Sequence, residues 1–327
     1  MSVQLTIIGL GKIGSSVGLA LSDETKQINR IGHDLNQDNA QEAKKLGAVD
    51  TLQRNLFKAV EGTDILLLAI PVDQVVETLD LVKNDLRPDT VILDTSPIKQ
   101  ATMNWVENNL PRNLHYVSMM PTLNAKLFNI CETGTSAANK DMFKDSMMVI
   151  AAPQHTEADA LTVATNLSVM LGAVPLYMDV LESDGLASGG HVIPQLMAAG
   201  LMNSLRKQPG WAESRKVAGD LFYHATLPLL KLDDKARLGE SIILNQENAL
   251  RQLDFLIQEL LELRDAVQEK DFEMLHSSLN EARDERHLWL SRRKDNDWFA
   301  SKAKADMPSA KDMFNQLFGM SRFSKKK

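Results

Sequence analysis

The sequence predicts an α/β protein in which an N-terminal doubly wound parallel sheet is followed by a C-terminal all-helical domain. Three observations predict this fold class. Short apolar runs alternate with helical segments up to about residue 180, such runs then stop, and glycines directly follow the first run. Strands that alternate with helices form parallel sheets with right-handed crossovers. We therefore expect ligands beyond the carboxyl ends of the strands, where the strand order reverses.

Seven apolar runs are the predicted strands. They are short and dominated by apolar residues, which is typical of strands buried on both faces of a sheet. They span residues 3–8, 30–34, 64–70, 90–94, 115–119, 147–151 and 174–178. The helical segments between them include residues 36–46, 72–86 and 157–171.

The C-terminal part is predicted to contain four helices, at residues 182–207, 211–224, 234–268 and 271–292. We divide the chain into a dinucleotide-binding domain (1–180), a helical substrate and dimerisation domain (181–292) and a basic C-terminal tail (293–327). The third helix has a leucine-rich face too broad for a lone surface helix. This face predicts a homodimer, with packing inside its own domain as the alternative.

Composition excludes several classes of protein. A net charge of -7 argues against a nucleic-acid or anionic-membrane binder, because contacts with phosphates need an excess of Lys and Arg. The sequence contains no apolar run of about 20 residues and no signal-peptide pattern at its start. The single cysteine, Cys131, excludes an intramolecular disulfide. We expect a cytoplasmic protein, and no His/Cys spacing suggests a metal site.

The motif at residues 9–14 has the G-x-G-x-x-G pattern of a Rossmann dinucleotide-binding domain. It directly follows the first strand and opens a helix, which is the context that the pattern requires. Gly9 would permit the tight turn, Gly11 would let the backbone approach a pyrophosphate, and Gly14 would let helix and strand pack closely. The anion would lie at the positive end of that helix.

Asp34 is the predicted selector of the dinucleotide. It ends the second strand, 25 residues after Gly9, where an acid accepts hydrogen bonds from a ribose 2′-hydroxyl. Its carboxylate would repel a 2′-phosphate, and no Arg or Lys adjoins it in the sequence. NAD is therefore favoured over NADP.

These residues resemble the prephenate/arogenate dehydrogenase family over nearly the whole chain. The similar segments are residues 9–16, Ala-Ile-Pro at 69–71, Asp-Thr-Ser-Pro-Ile-Lys at 94–99, residues 178–184 and residues 245–248. The resemblance implies a Rossmann domain, a helical dimerisation domain and an active site between them. It also implies NAD(P)-dependent oxidative decarboxylation of prephenate or arogenate, on the route to tyrosine. The predicted cofactor-binding residues are Gly9, Leu10, Gly11, Lys12, Ile13, Gly14, Asp34, Ala69 and Pro71.

Three positions depart from the family's active-site pattern. Met120 stands where the family's G-H-P-x-x-G motif has its histidine, and a thioether cannot accept the substrate's proton. Pro97 stands at the serine of D-x-x-S-x-K, although Ser96 is adjacent and Lys99 is retained. Leu229 falls on the arginine that would hold a substrate carboxylate. The substrate is therefore not determined by the resemblance.

His191 is the predicted replacement base. It lies near Pro194, which removes a helical hydrogen bond to Gly190 and so predicts a kink of the kind found at functional sites. Either it accepts the substrate's proton or it hydrogen-bonds a neighbouring turn. Lys99 either binds a substrate carboxylate or caps a helix. The full predicted catalytic set is His191, Ser96, Lys99, Asn124 and Gln195, with Thr122 and His224 as further residues that could face the pocket.

The sequence is compatible with three functions. The first is a dehydrogenase of the prephenate/arogenate type that acts on a small carboxylic acid. The second is NAD-dependent hydride transfer on another small hydroxy or amino acid. The third is a dinucleotide-binding protein of the same fold without catalysis.

Overall fold

The structure, a computed structural model, describes residues 2–24, 27–129, 132–231 and 238–295. Its N-terminal half is a single eight-stranded sheet. The strands are β1 Val3–Ile8, β2 Ile28–His33, β3 Thr51–Leu52, β4 Ile65–Leu68, β5 Val91–Asp94, β6 His115–Pro121, β7 Ser146–Ala151 and β8 Ala173–Tyr177. The predicted α/β fold class is confirmed, but β3 was missed because two residues give no periodic signal.

The strand order is β3-β2-β1-β4-β5-β6-β7-β8, so the order reverses between β1 and β4. Neighbouring strands are parallel except β6 and β7, which are antiparallel. The expectation of a wholly parallel sheet is therefore wrong at this one pair. The described part of the connection from β6 to β7 contains two short 3₁₀ turns instead of a crossover helix. Without a crossover, β7 begins at the same end of the sheet where β6 ends, and it therefore runs antiparallel to β6.

Six helices cover the two faces of the sheet. They are α1 Lys12–Ala20, α2 Gln37–Leu46, α3 Leu56–Val60, α4 Val72–Val82, α5 Gln100–Asn109 and α6 Ala158–Met170. Side chains of β4 alternate between two cores: Leu67 joins the cluster under α1, α2 and α6, whereas Leu66 and Leu68 join the cluster under α3, α4 and α5. This period of two is what a strand covered on both faces requires.

The C-terminal half is helical, as predicted, but its helices are more broken. They are α7 Val180–Ala187, α8 Ile193–Arg206, α9 Trp211–Val217, α10 Asp220–Thr226, α11 Leu238–Ile243, α12 Gln246–Glu269 and α13 Phe272–Asp295. A π-helical turn, Ser188–Val192, joins α7 to α8. The last helix extends three residues beyond the predicted end at residue 292. Cys131 and residues 296–327 of the predicted tail lie outside the described residues.

None of the helices within the described ranges is long and apolar enough to cross a membrane.

An ion pair between buried Arg30 and half-buried Asp50 fixes β2 beside the turn that follows α2. The guanidinium of Arg30, 3% exposed, donates two hydrogen bonds to Asp50 at 2.7 and 3.0 Å. Its remaining nitrogen donates to the carbonyls of Gly18 and Gly47. Burial alone would raise the pKa of Asp50, but the hydrogen bonds and charge of Arg30 hold it below its ordinary value.

We predict that Asp50→Asn lowers the free energy of unfolding by about 1–3 kcal/mol, because a buried guanidinium loses its counter-charge. The pKa of Asp50 is lower in the folded state, so the stabilisation is present above the unfolded pKa, about 4. It is lost as pH falls through the folded pKa. Thermal unfolding from pH 7 to pH 3 should show the gap between variant and wild type closing below pH 4.

Asp80→Asn is the matched control, because Asp80 forms an exposed pair with Lys83. We expect it to change stability by about 0.5 kcal/mol or less. An Asp50→Asn effect that stays constant across this pH range would contradict the assignment of the ion pair.

Candidate active site

The glycine loop lies at the carboxyl end of β1, at the point where the strand order reverses. Gly9 has φ +91°, and a Cβ there would lie 2.4 Å from the carbonyl oxygen of Ala69. Its N–H donates to the carbonyl of His33 at 2.9 Å, while Ala69 N–H donates to Ile8. The loop is therefore held tightly between the ends of β2 and β4. Pro71, at the N-cap of α4, follows on the same edge.

Gly11 and Gly14 have opposite surroundings. A Cβ on Gly14 would lie 1.9 Å from the carbonyl oxygen of Gly9, so α1 packs on the loop only because this residue has no side chain. A Cβ on Gly11 would meet no described atom within 4 Å. Gly11 is the N-cap of α1 and makes no side-chain cap there. The helix N-terminus is thus open above Gly11, as the approach of a pyrophosphate requires.

Asp34 links the end of β2 to this loop. One carboxylate oxygen accepts the N–H of Leu10 at 2.7 Å, and the other accepts the N–H of Asn36 at 2.6 Å. The side chain is half-buried, so it is ordered but not removed from solvent. Each carboxylate oxygen can accept a further hydrogen bond. The residue therefore has the position and acceptor capacity needed for a ribose hydroxyl.

A buried polar network follows the end of β5. Asp94 accepts hydrogen bonds from the hydroxyls of Tyr116 at 2.6 Å and Ser96 at 3.0 Å. The ammonium of Lys99 donates to the main-chain carbonyl of Asp94 at 2.9 Å and lies 3.6 Å from its carboxylate. Burial lowers the pKa of Lys99, against the opposing charges of Asp94 and Asp184. Burial likewise raises the pKa of Tyr116 well above its ordinary value.

Asp184, on α7, connects this network to the helical half of the chain. Its two carboxylate oxygens accept the main-chain N–H groups of Lys99 at 2.7 Å and Gln100 at 2.9 Å, at the start of α5. Burial raises its pKa, although these hydrogen bonds oppose the shift. Asn245, which precedes α12, donates to the carbonyl of Asp184 at 2.9 Å. One buried carboxylate thus joins the start of α5 to α7.

His191 lies in the π-helical turn between α7 and α8. Ile193 N–H donates to the carbonyl of Ser188, five residues back, and Gln195 donates its side-chain amide to the carbonyl of His191 at 2.6 Å. The side chain of His191 is solvent-accessible, yet the protein around it lowers its pKa by desolvation. The imidazole is thus accessible from solvent while its surroundings favour the neutral form. A neutral imidazole can accept a proton at neutral pH.

Comparison with known proteins gives this arrangement a context. A model of the nucleotide-binding domain of prephenate dehydrogenase matches residues 17–177. A prephenate dehydrogenase of Bacillus subtilis is 24% identical over 288 residues, covering 88% of this chain and 76% of that protein. A cyclohexadienyl dehydrogenase of Zymomonas mobilis is 25% identical and covers 85% and 93% of the two chains. These matches support the prephenate/arogenate dehydrogenase family for this chain.

Solved structures of this family share the fold. Prephenate dehydrogenase from A. aeolicus, in complex with hydroxyphenyl propionate and NAD+, superposes with a TM-score of 0.74 at 19% identity. That likeness covers 88% of this chain and 98% of the other. Arogenate dehydrogenase from Synechocystis gives a TM-score of 0.67 at 17% identity, over 88% of this chain and the whole of that one.

The positions that depart from the family pattern are apolar in the structure. Met120, on β6, is 7% exposed and packs with Val149 and Ala187. Leu229 is half-buried in a 3₁₀ turn after α10, and Pro97 is half-buried between Ser96 and Ile98. These side chains bring neither a base nor a cation to the candidate site. His191 is the predicted base, and desolvation lowers its pKa.

The predicted catalytic residues divide into buried and accessible groups. Ser96, Lys99 and Asn124 are at most 5% exposed, and their polar atoms are bonded within the protein. The ammonium of Lys99 has no exposed surface, which favours a structural role over contact with a substrate carboxylate. His191 is accessible, and Gln195, beside it in the chain, is half-buried. His224 is exposed on α10, where its ring packs edge-on against Tyr223.

Two residues of the site were not singled out from the sequence. Asp184 lies in a segment similar to the family, but its hydrogen-bond partners lie 84 and 85 residues away in the sequence. Thr135 donates its hydroxyl to the carbonyl of Leu10 at 2.6 Å and so supports the glycine loop from the connection between β6 and β7. Neither contact has a local sequence signal, because each depends on how distant segments pack.

We predict that Gly11→Ala weakens NADH binding by about 10-fold or more, because a methyl group would separate the pyrophosphate from the backbone. Its thermal unfolding should match wild type, since the added Cβ meets no described atom. Gly14→Ala, by contrast, should lower the free energy of unfolding by about 1–3 kcal/mol through overpacking. NADH fluorescence titration and calorimetry measure the two effects. Unchanged NADH affinity in Gly11→Ala would place the dinucleotide elsewhere.

Proposed function

We propose that this chain is an NAD-dependent dehydrogenase that oxidises and decarboxylates prephenate or arogenate. The observation that carries the proposal is the open backbone at Gly11, at the N-terminus of α1, beside the carboxylate of Asp34. That pair of features fits a dinucleotide diphosphate and a ribose hydroxyl. Similarity to prephenate and cyclohexadienyl dehydrogenases supports oxidation with decarboxylation as the reaction. The lone cysteine and the family's biosynthetic reaction support a cytoplasmic enzyme.

The choice of NAD over NADP rests on charge. Asp34 would lie close to a ribose 2′-phosphate, and two anions at that distance repel each other. The structure of A. aeolicus prephenate dehydrogenase was solved with NAD+, and the shared fold supports the same cofactor here. When bound, NAD+ supplies the acceptor for a hydride.

The reaction then requires a group that accepts the hydroxyl proton of the substrate and a site from which its carboxylate can leave. The carbinol carbon of the substrate loses a hydride, and its hydroxyl proton passes to an imidazole nitrogen of His191. The ring carboxylate leaves as carbon dioxide, and its bonding electrons complete the aromatic ring. Gln195 stabilises the turn by its hydrogen bond to the carbonyl of His191. His191 is suited to the proton transfer because its lowered pKa keeps it neutral.

One observation favours a second candidate function. Met120 and Leu229 leave the described site without the family's histidine and arginine, and an arginine is the best bidentate partner of a carboxylate. A smaller or less anionic substrate needs no such partner. Hydride transfer on another small hydroxy or amino acid is therefore the alternative that the assays must test.

The proposed domain organisation follows the connection at Asp184. Residues 1–180 form the dinucleotide-binding domain, the helices from residue 181 form the substrate and dimerisation domain, and the active site lies between them. The basic tail, proposed from residue 293, includes the last turn of α13.

A homodimer is part of the proposal. Only Ala249 and Ala266 are buried on the 24-residue α12. Leu250, Ile257 and Leu261 are 51%, 51% and 38% exposed, and their spacing of seven and four residues places them on one helix face. An apolar face of this kind marks an interface. We propose that a second copy of this chain covers the face, because its packing would also bury apolar side chains of the helical half that are exposed in one copy.

The function is tested by titrating the protein with NADH and then measuring NAD+ reduction with prephenate, arogenate and simple hydroxy acids. Turnover of prephenate or arogenate supports the proposal. Turnover of only another hydroxy or amino acid supports the alternative. NADH binding without turnover of any substrate would contradict both dehydrogenase hypotheses.

We predict that His191→Ala lowers kcat/KM by about 100-fold or more, as loss of a general base does. In wild type, kcat/KM should fall as pH drops below the lowered pKa of His191, which lies under its ordinary value of about 6.5. The variant should lose this dependence. His287→Ala, an exposed histidine on α13, is the control. Normal turnover in His191→Ala would exclude His191 as the base.

We predict that Ile257→Asp produces a monomer, because it places a charge in the apolar face of α12. Gln258→Asp adds the same charge at the next, exposed position and should remain dimeric. Size-exclusion chromatography with light scattering distinguishes the two masses. A monomeric wild type, or two variants that behave alike, would argue against this face as the interface.

A further inference from the structure

The last turn of α13 contacts the loop that follows β6. Arg293 donates a hydrogen bond from Nη2 to the carbonyl of Leu123 at 2.6 Å. Its side chain is 8% exposed, although neighbouring Arg292 and Lys294 are exposed. Burying an arginine is costly unless its donors are used. The buried guanidinium therefore has a specific partner in this loop.

Aromatic contacts extend the same junction. Trp289, one turn earlier on α13, stacks on Phe128 with ring centroids 6.0 Å apart and an angle of 11° between the planes. The guanidinium of Arg293 lies 5.8 Å from the Phe128 ring, and that of Arg286 lies 5.2 Å from Trp289. Two cations and two rings thus form a continuous stack, each contact of which is favourable.

Hydrogen bonds also tie the loop to β7 and to the segment that leads into it. Thr122 N–H donates to the carbonyl of Met147, and Asn124 N–H donates to Met142. The side-chain amide of Asn124 donates to Asp141 at 3.0 Å. Leu123, between these two residues, turns its carbonyl to Arg293. The contact with α13 therefore adds an attachment to the loop from the helical half of the chain.

The loop begins at the same edge of the sheet as the candidate active site. It begins where β6 ends, at the sheet edge shared with the carboxyl ends of β4 and β5. In doubly wound folds the strands beyond the switch point carry the second mononucleotide, here the nicotinamide half. A shift of the loop would therefore alter the wall beside the reacting carbon.

We propose that Arg293 is a positioning residue that holds loop 122–128 against the active site from the C-terminal helix. The inference rests on the proposed dehydrogenase function. The proposed role of Arg293 involves no contact with the cofactor or the substrate. It acts through Leu123 and Phe128, so that the helical half and the substrate side of the sheet keep one relative position.

The test compares Arg293→Met, Arg293→Lys and the control Arg292→Met in the full chain. We expect kcat/KM for the accepted acid to fall about 10-fold in Arg293→Met, because small displacements near a reacting centre are costly. NADH affinity should stay within twofold of wild type, since the glycine loop is untouched. Lysine keeps a donor but loses the planar stack, so Arg293→Lys should recover part of the loss. Arg292→Met should behave as wild type.

Amide hydrogen exchange provides a readout that does not require turnover. Peptides covering 122–128 should exchange faster in Arg293→Met, with the strands β1 and β4 unchanged. Faster exchange throughout the chain would indicate general destabilisation and overturn the proposal, as would normal exchange and kinetics in Arg293→Met. If wild type turns over no substrate, the proposed function fails, and local exchange at 122–128 still decides whether Arg293 holds the loop.

Discussion

The carboxylate of Asp184 is the interaction on which the rest of the site depends. It lies almost fully buried on α7 and accepts the first two N–H groups at the start of α5. These donors, with the positive end of the helix, offset part of the cost of burying an anion. Because α7 leads into the turn that carries His191, this contact sets where the imidazole lies relative to the sheet. The ion pair of Lys99 with Asp94 completes the same buried junction.

Asp34, at the end of β2, also combines a structural contact with a proposed binding role. Its hydrogen bond from Leu10 N–H shapes the glycine loop, and its carboxylate keeps lone pairs that can accept a ribose hydroxyl. The residue proposed to select the dinucleotide therefore also orders the glycine loop. Cofactor recognition here depends on main-chain geometry and one carboxylate. Such a site tolerates extensive change in the surrounding side chains.

The parts predicted from sequence are those governed by local rules. Glycine spacing, apolar runs and the position of Asp34 after β2 follow from residues within one βαβ unit. The antiparallel pairing of β6 with β7 was not predictable, because it depends on the path of a connection without a helix. The helices are interrupted at residues 188–192 and 244–245, where the apolar pattern of the sequence continues without a break. The role of Asp184 depends on a partner 85 residues away, which no local pattern encodes.

The same distinction explains why the substrate is harder to assign than the cofactor. A dinucleotide diphosphate is bound by backbone N–H groups, which any sequence with the right glycines supplies. A small acid is recognised by side chains, and each one can be replaced without disturbing the fold. Met120 shows this directly: in an apolar cluster with Val149 and Ala187 a thioether packs well, so the sheet itself does not require a histidine there. Similarity to the family therefore constrains the identity of the hydride acceptor more tightly than that of the molecule that is oxidised.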